Sequence, residues 1–350
     1  KRDHRRLGTD LDLFSTAPDQ VGGGLVLWHP KGALIRHLIE EFAKQRHLAG
    51  GYDLVYTPHI GRATLWETSG HLDFFRENMY SPVEIDSLEY FLKPMNCPFH
   101  IMIYKSRRRS YRDLPMRLAE WGTVYRYERS GALHGLLRVR GFTQDDAHLF
   151  VNPDHIDEAI LEVLDFSIEL FHAFGFHDLG LNVATRPAKA VGDPADWDRA
   201  TAALMRAVET RGLPYRLREG EGAFYGPKID IDIEDALGRA WQCTTIQFDF
   251  NLAERFGLAF TDTDGEVRRP YMVHRALFGS MERFFGVLLE HYGGAFPVWL
   301  SPVQAVVIPI ADRHAPYAES VGKPLREQGL RVEVDTRDDR MRAKIRDAQL

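Results

Sequence analysis

Six side chains on one face of a single stretch hold much of the chemistry this sequence offers. Residues 138–151 read RVRGFTQDDAHLFV. In a strand, side chains alternate between two faces. One face then carries Arg138, Arg140, Phe142, Gln144, Asp146 and His148; the other carries Val139, Gly141, Thr143, Asp145, Ala147 and Leu149. Arginines at one end suit phosphates, which they hold through charge-assisted hydrogen bonds. Phe142 can stack on a flat base. Asp146 and His148 at the other end suit something small and polar, or a metal. Such a face is a floor for a long ligand. Alternation alone fits equally well a hairpin with salt bridges on its wet side.

The partner strand is expected over Val124–Arg129, with Arg126 and Glu128 on one face and Ser130, Gly131 and Gly135 marking the turn. Upstream, Pro30 opens a helix with Leu34, Ile35, Leu38, Ile39 and Phe42 at helical spacing, ended by Gly50-Gly51. The run GYDLVYTPHI after it predicts a strand closed by Pro58. Downstream, Asn152-Pro153 caps a long amphipathic helix, and a second is expected over Asp196–Arg211. GAFYGPKIDIDIE (222–234) alternates, with Ile229, Ile231 and Ile233 facing one side and Lys228, Asp230, Asp232 and Glu234 the other. It pairs with Trp241–Phe250 across a polar turn at Asp235–Gly238. Tyr271–Gly294 predicts a strand running into a helix that Ser280 caps, with Arg283 in its first turn, where the dipole attracts anions. Beyond Pro297–Pro302 the pattern turns to alternating α/β, and it stops in mid-helix.

The chain has 350 residues, which suggests two domains, since domains run to roughly 150 residues each. Hydrophobic content of 44% and charged content of 27% allow a large buried core and exclude a disordered chain. The net charge of −6 confines any nucleic-acid contact to local basic patches, of which Lys105–Arg117 is the densest. The two cysteines, Cys97 and Cys243, are far apart, which excludes a disulfide framework and suits a reducing cytoplasm. No apolar run approaches the ~20 residues of a membrane helix. The first residue is Lys1, so a fragment of a longer protein is expected.

RYERSGALHG followed by RVRGFTQDDAHLF resembles motif 2 of the class II aminoacyl-tRNA synthetases, and RGFTQDDAH resembles the threonyl-tRNA synthetases in particular. GSMERF (279–284) resembles motif 3, and the helix–strand unit ending at Pro58 resembles motif 1, which forms the dimer interface in the family. The resemblance implies an α+β fold: an antiparallel sheet flanked by helices over residues 1–300, then a small α/β anticodon-binding domain over 301–350, incomplete at its C-terminus. It implies a cytoplasmic homodimer that acts on ATP, L-threonine and tRNA(Thr), with no membrane partner. Threonine and ATP would give threonyl-adenylate and pyrophosphate; the threonyl group would then pass to the 3′-terminal adenosine of tRNA.

The same resemblance implies roles for residues. Cys97 in KPMNCP, His148 and His274 would ligate one Zn²⁺ per subunit, although no local spacing announces a metal site. Arg126 would hold the α-phosphate and carboxylate, Arg138 and Arg283 the outer phosphates, Glu128 the adenine amino group and Phe142 the adenine ring. Gln242 would complete the ATP site, and Mg²⁺ would accompany ATP. Met95, Gln144, Asp146, Tyr225, Lys228 and Gln247 would surround threonine, and His71 would remove a proton at the tRNA ribose. Two positions depart from the family pattern: Phe99 and Thr244 stand where glycine is expected. They leave open a catalytically altered synthetase-like module that binds tRNA or another ligand. Gln242 and Gln247 are an odd number of residues apart, so a bulge must intervene for both to reach one pocket.

Overall fold

Eight strands form the central sheet: β1 (Asp53–Leu54), β2 (Met116–Tyr125), β3 (Gly141–Val151), β4 (Leu179–Ala184), β5 (Tyr215–Arg218), β6 (Lys228–Glu234), β7 (Ala240–Asp249) and β8 (Tyr271–Ala276). The computed structural model describes residues 2–234 and 238–348. The spatial order is β5-β4-β6-β7-β8-β3-β2-β1. Neighbours from β4 through to β2 pair antiparallel, and only the edge strands β5 and β1 run parallel to their neighbours. The main helices are α1 (His4–Asp10), α2 (Pro30–Ala49), α3 (Cys97–Lys105), α4 (Ile156–Ala173), α5 (Pro194–Thr210) and α6 (Met281–Tyr292).

Alternation in the strands decides which face is dry. Ile229, Ile231 and Ile233 of β6 are buried with Ile246 of β7, Leu149 of β3 and Val273 of β8. Ile35 and Ile39 of α2, Ile160 and Val163 of α4, Leu204 of α5 and Phe284 and Leu288 of α6 complete this core. The opposite face keeps the polar residues. On it α3 covers one end, packing Ile101 and Tyr104 against Leu118, Phe150 and Met272.

Asp145, on the core side of β3, is tied to the β8–α6 connection. Its carboxylate accepts from the backbone N–H of Leu277 (2.9 Å) and Phe278 (3.0 Å), and the buried Arg275 guanidinium lies 3.9 Å away. Arg275 stacks 4.5 Å from the centre of the Tyr52 ring. Asp145→Ala removes the counter-charge beside a buried cation and the acceptor of two backbone amides, so a loss of about 3–5 kcal/mol is expected. Denaturant unfolding checks it, and a loss below about 1 kcal/mol would refute this account of the pair.

Three predicted elements end elsewhere. The motif 2 strands are β2, which begins at Met116, and β3, which begins at Gly141, so residues 126–140 are mostly loop. The ladder stops because Leu136 and Leu137 dive into the core, 0% and 2% exposed, and Arg140 N–H bonds Gly24 O instead (2.8 Å). Arg138 and Arg140 thus precede the strand, and Arg140 bonds Glu128 O and Gly23 O. The strand ending at Pro58 shrinks to β1, because Thr57 gives its N–H and hydroxyl to Glu120 rather than to a ladder. Within 222–234 the strand begins at Lys228. The turn after it falls partly outside the described residues, at 235–237.

The last segment is a βαβ unit. β9 (Ala305–Val307) and β10 (Val332–Val334) pair parallel across α7 (Ala315–Glu327), and α8 (Met341–Ala348) follows. Among the described residues no helix is long and apolar enough to cross a membrane.

Candidate active site

The polar face of the sheet is the floor of a cleft of about 390 Å³. Strand register builds it. Lys228, Gln247, His274 and His148 stand side by side across β6, β7, β8 and β3. The next row is Asp230, Thr245, Ala276 and Asp146. Every residue expected at the site from the sequence lines this cleft except His71 and Arg140. His71 is fully buried, with Nδ1 2.7 Å from Ser69 Oγ and Nε2 3.1 Å from Met95 Sδ. Burial and the nearby charge of Arg126 push it down to about 3. It backs Met95 and is not brought to the cleft wall.

At one end, ligand atoms of Cys97, His148 and His274 lie within 4.8 Å of one another, all three residues buried. A sulfur and two imidazole nitrogens so placed are a donor set that fits Zn²⁺ and leaves coordination positions open. Each histidine is oriented from behind. His148 Nδ1 meets His100 Nδ1 at 2.8 Å, and His100 Nε2 meets Glu120 at 3.2 Å. Lys93 and Thr57 also converge on Glu120. His274 Nε2 lies 2.7 Å from Asp249, whose other oxygen accepts from Asn251 N and Leu252 N. Burial pushes the Cys97 thiol well up and the His148 imidazole well down, so both favour their neutral forms without a cation.

Asp146 borders this end. Asn96 Nδ2 donates to it at 3.0 Å, and burial raises its carboxyl against the pull of His100 and Asn96. Gly122 of β2 makes that contact possible: a Cβ there would lie 2.4 Å from Asn96 Nδ2.

Three arginines also line the cleft, Arg126 near enough to act on Cys97. The Arg126 guanidinium lies 5.5 and 5.2 Å from the centres of the Phe75 and Phe142 rings and donates only to Pro94 O (3.1 Å) among the described residues. Arg283, in the first turn of α6, donates to Leu137 O (3.2 Å) and Gln242 O (3.0 Å). Neither forms an ion pair with a described residue. Burial works against the charge on Arg126, so an anion beside it relieves a real cost. Arg138 differs: it pairs with Glu128 at 3.0 Å. Both belong to the expected nucleotide end, and a half-exposed pair of this kind contributes little, so a ligand displaces it easily.

Both glycine departures are accommodated. The register of β6 against β7 jumps between Ile231↔Thr244 and Asp232↔Gln242, so Cys243 bulges and Gln242 joins Gln247 on the cleft side. Thr244 is buried on the far side and donates to Leu277 O (2.5 Å). Phe99 turns away from the cleft and packs edge-on against Trp66, over Gly61, where a Cβ would meet its ring at 2.9 Å.

Sequence reasoning missed the residues behind the ligands: Asn96, His100, Glu120 and Asp249. His100 lies three residues beyond Cys97, on the same helix face, and that spacing was the available signal. The basic run Lys105–Arg117 is largely committed elsewhere: Lys105 to Phe256 O, Arg109 to Tyr104 O, Arg107 to Asp113 and Arg117 to Glu162.

Comparisons with known proteins give the family of the chain. Residues 82–292 match the tRNA synthetase class II core domain (G, H, P, S and T), and residues 304–350 match an anticodon binding domain. The chain is 57% identical over 350 residues to a threonine–tRNA ligase of Sulfurihydrogenibium sp., covering 100% of this chain and 54% of that protein. It is 56% identical over 350 residues to a threonine–tRNA ligase of Aquifex aeolicus, covering 100% of this chain and 55% of that one. The chain thus spans about half the length of the curated relatives it matches. A crystal structure described as the RNA binding domain of threonyl-tRNA synthetase from Cryptosporidium parvum superposes with a TM-score of 0.95 at 42% identity, over 99% of this chain and 86% of that one. With the core-domain match covering more than half of the chain and that likeness extending over nearly all of it, the chain belongs to the threonyl-tRNA synthetase family of the class II tRNA synthetases.

Proposed function

We propose that this chain carries the catalytic core of a threonine–tRNA ligase. One observation carries the reading: a buried Cys–His–His cluster and, further along the same cleft, two guanidiniums without ion pairs among the described residues. That spacing of chemistries suits a small polar amino acid at one end and a polyphosphate at the other. Cys97, His148 and His274 would hold zinc. When bound there, zinc supplies a Lewis acid whose open positions suit the amino and hydroxyl groups of threonine.

The chain's own residues do the rest. Asp146 accepts a hydrogen bond from the threonine hydroxyl. Lys228, Gln247, Gln144, Tyr225 and Met95 enclose the amino acid and its link to the nucleotide. An oxygen of the threonine carboxylate attacks the α-phosphorus in line, the bond to the bridging oxygen breaks, and pyrophosphate leaves with the electron pair. No covalent enzyme intermediate is needed, so catalysis is positioning and charge stabilisation. Arg126 faces the α-phosphate, and Arg283 and Arg138 face the outer phosphates, with Mg²⁺ accompanying ATP. Phe142 stacks on adenine, Glu128 accepts from its amino group and Gln242 completes the nucleotide wall. A ribose hydroxyl of the 3′-terminal adenosine of tRNA(Thr) then attacks the threonyl carbonyl carbon, the carbonyl–phosphate oxygen bond breaks, and AMP leaves with the electron pair as the hydroxyl proton is lost. His71 enters this scheme only through Met95.

We assign residues 1–300 to the catalytic domain and 301–350 to the anticodon-binding unit. A homodimer through the helix–strand unit ending at Pro58 is supported by exposed apolar residues beside it: Tyr56, Ile60, Val83, Ile85 and Leu88. A cytoplasmic location accords with two unpaired cysteines.

The test is amino-acid-dependent ATP–pyrophosphate exchange with threonine, serine, valine and proline in parallel. Expected are exchange with threonine, weaker exchange with serine, which keeps both polar groups, and none with valine or proline. An apolar pocket would separate threonine from valine by only about a hundredfold. Absence of threonine exchange from folded, zinc-loaded protein would overturn the proposal in favour of a binding module.

A further inference from the structure

The N-terminal helix reaches the cleft indirectly, through one buried histidine. His4, 0% exposed, is the first residue of α1. Its Nδ1 lies 2.8 Å from Glu290 Oε1 in α6, and its backbone N–H donates to the same oxygen at 3.1 Å. Its Nε2 accepts the backbone N–H of Leu136 at 3.1 Å. A ring that donates from Nδ1 and accepts at Nε2 is a neutral imidazole in one tautomer. Burial also pushes His4 below its ordinary value, although Glu290 pulls the other way. Glu290 is held in turn by Arg239 at 3.1 Å.

Leu136 belongs to the 126–140 loop, which carries Glu128 and Arg138 to the cleft. The next residue, Leu137, gives its carbonyl to Arg283 Nε. His4 therefore ties the loop to the helix that bears Arg283, one residue from where that arginine grips the loop. Two glycines make room for the clamp. A Cβ at Gly135, whose φ is +50°, would lie 2.2 Å from His4 Nε2. One at Gly286 of α6 would lie 3.0 Å from the Leu137 side chain.

We propose that His4 is a positioning residue for the nucleotide end of the cleft: it fixes the 126–140 loop against α6, so that Glu128, Arg138 and Arg283 meet ATP in one arrangement. The inference rests on the ATP reading of that end. It predicts an effect on ATP and none on threonine, whose Cys–His–His cluster includes none of these residues.

Two substitutions separate the two ring nitrogens. In His4→Asn the amide nitrogen stands near Nδ1 and can donate to Glu290, but nothing accepts from Leu136 N–H. In His4→Gln the amide oxygen stands near Nε2 and restores that acceptor. With the full chain, His4→Asn is expected to raise KM for ATP in pyrophosphate exchange roughly tenfold, as the loss of one buried acceptor implies, with KM for threonine unchanged. His4→Gln is expected to recover most of that loss. Amide hydrogen exchange supplies a readout independent of activity: Leu136 and its neighbours lose protection in His4→Asn and keep it in His4→Gln. Nucleotide binding by calorimetry supplies a third. If the parent chain shows no threonine-dependent exchange, the proposed function fails, while protection and ATP affinity still decide the role of His4. Equal behaviour of the two variants, or equal changes in KM for ATP and threonine, would overturn the positioning role.

Discussion

Replacing Arg126 with alanine is expected to lower threonine-dependent pyrophosphate exchange by about a hundred- to a thousandfold, the usual consequence of removing a preorganised donor from a site of developing charge. The expectation comes from what Arg126 lacks. Its guanidinium has a carbonyl partner, Pro94 O, and two aromatic neighbours, Phe75 and Phe142, but no carboxylate among the described residues in ion-pair range. A partly buried cation held this way is poorly compensated until an anion arrives, and the α-phosphate gains charge at its equatorial oxygens as the carboxylate attacks. One charge-assisted hydrogen bond and two ring contacts are lost, but the cost of desolvating the cation goes with them, so the folded state should change little. Thermal unfolding then shifts by a few degrees at most while exchange collapses. Arg126→Lys should recover little, since an ammonium cannot reproduce the planar fork. Exchange within threefold of the parent in Arg126→Ala would take the arginine out of the mechanism.

The contrast with Arg138 is instructive. Sequence placed Arg126 and Arg138 on the two paired strands of one hairpin, and both do line the cleft. Alternation could not see that Leu136 and Leu137 would be drawn into the core, which ends the ladder at Gly141 and leaves Arg138 free to pair with Glu128. The rest of the floor was legible because its signal is local: period-two runs in 142–148 and 228–234 fix which side chains share a face. Lateral register is not local, so no spacing announced that His148, His274 and Gln247 would stand in one row. The resemblance to the synthetases supplied those matches instead. Residues behind the row escaped because burial, not motif, gives them their role. His100 and Glu120 look in sequence like one more helix histidine and one more strand acid, and become a relay only when α3 lies over β2. The Gln242–Gln247 parity problem shows the opposite case. The sequence demanded a bulge, and the structure has it at Cys243 although Thr244 replaces glycine, because the threonine hydroxyl finds Leu277 O on the buried side.

Cys97→Ala should be the most selective lesion in the cleft. Parent protein is expected to carry about one zinc per chain by elemental analysis, and the variant almost none, since the remaining donors are two histidines. Threonine exchange should fall at least about a hundredfold, and the preference for threonine over valine should fall toward what an apolar pocket gives. ATP binding should persist, because Arg283, Arg138 and Phe142 are not part of the Cys–His–His cluster. Chelation of the parent should reproduce the variant and lower its unfolding temperature, because a ligand that binds only the folded state stabilises it by mass action. His100→Ala offers an intermediate: the cluster stays complete, but His148 loses the partner that holds its ring, and such losses weaken metal sites by about ten- to a hundredfold. The ordering parent, His100→Ala, Cys97→Ala should therefore appear both in zinc retention and in threonine-over-valine preference. If exchange falls while zinc stays bound, the cysteine acts on threonine by packing alone. If zinc is lost while the threonine preference survives, discrimination belongs to Asp146 and the enclosing side chains, and the metal is a structural brace for α3 against β3 and β8.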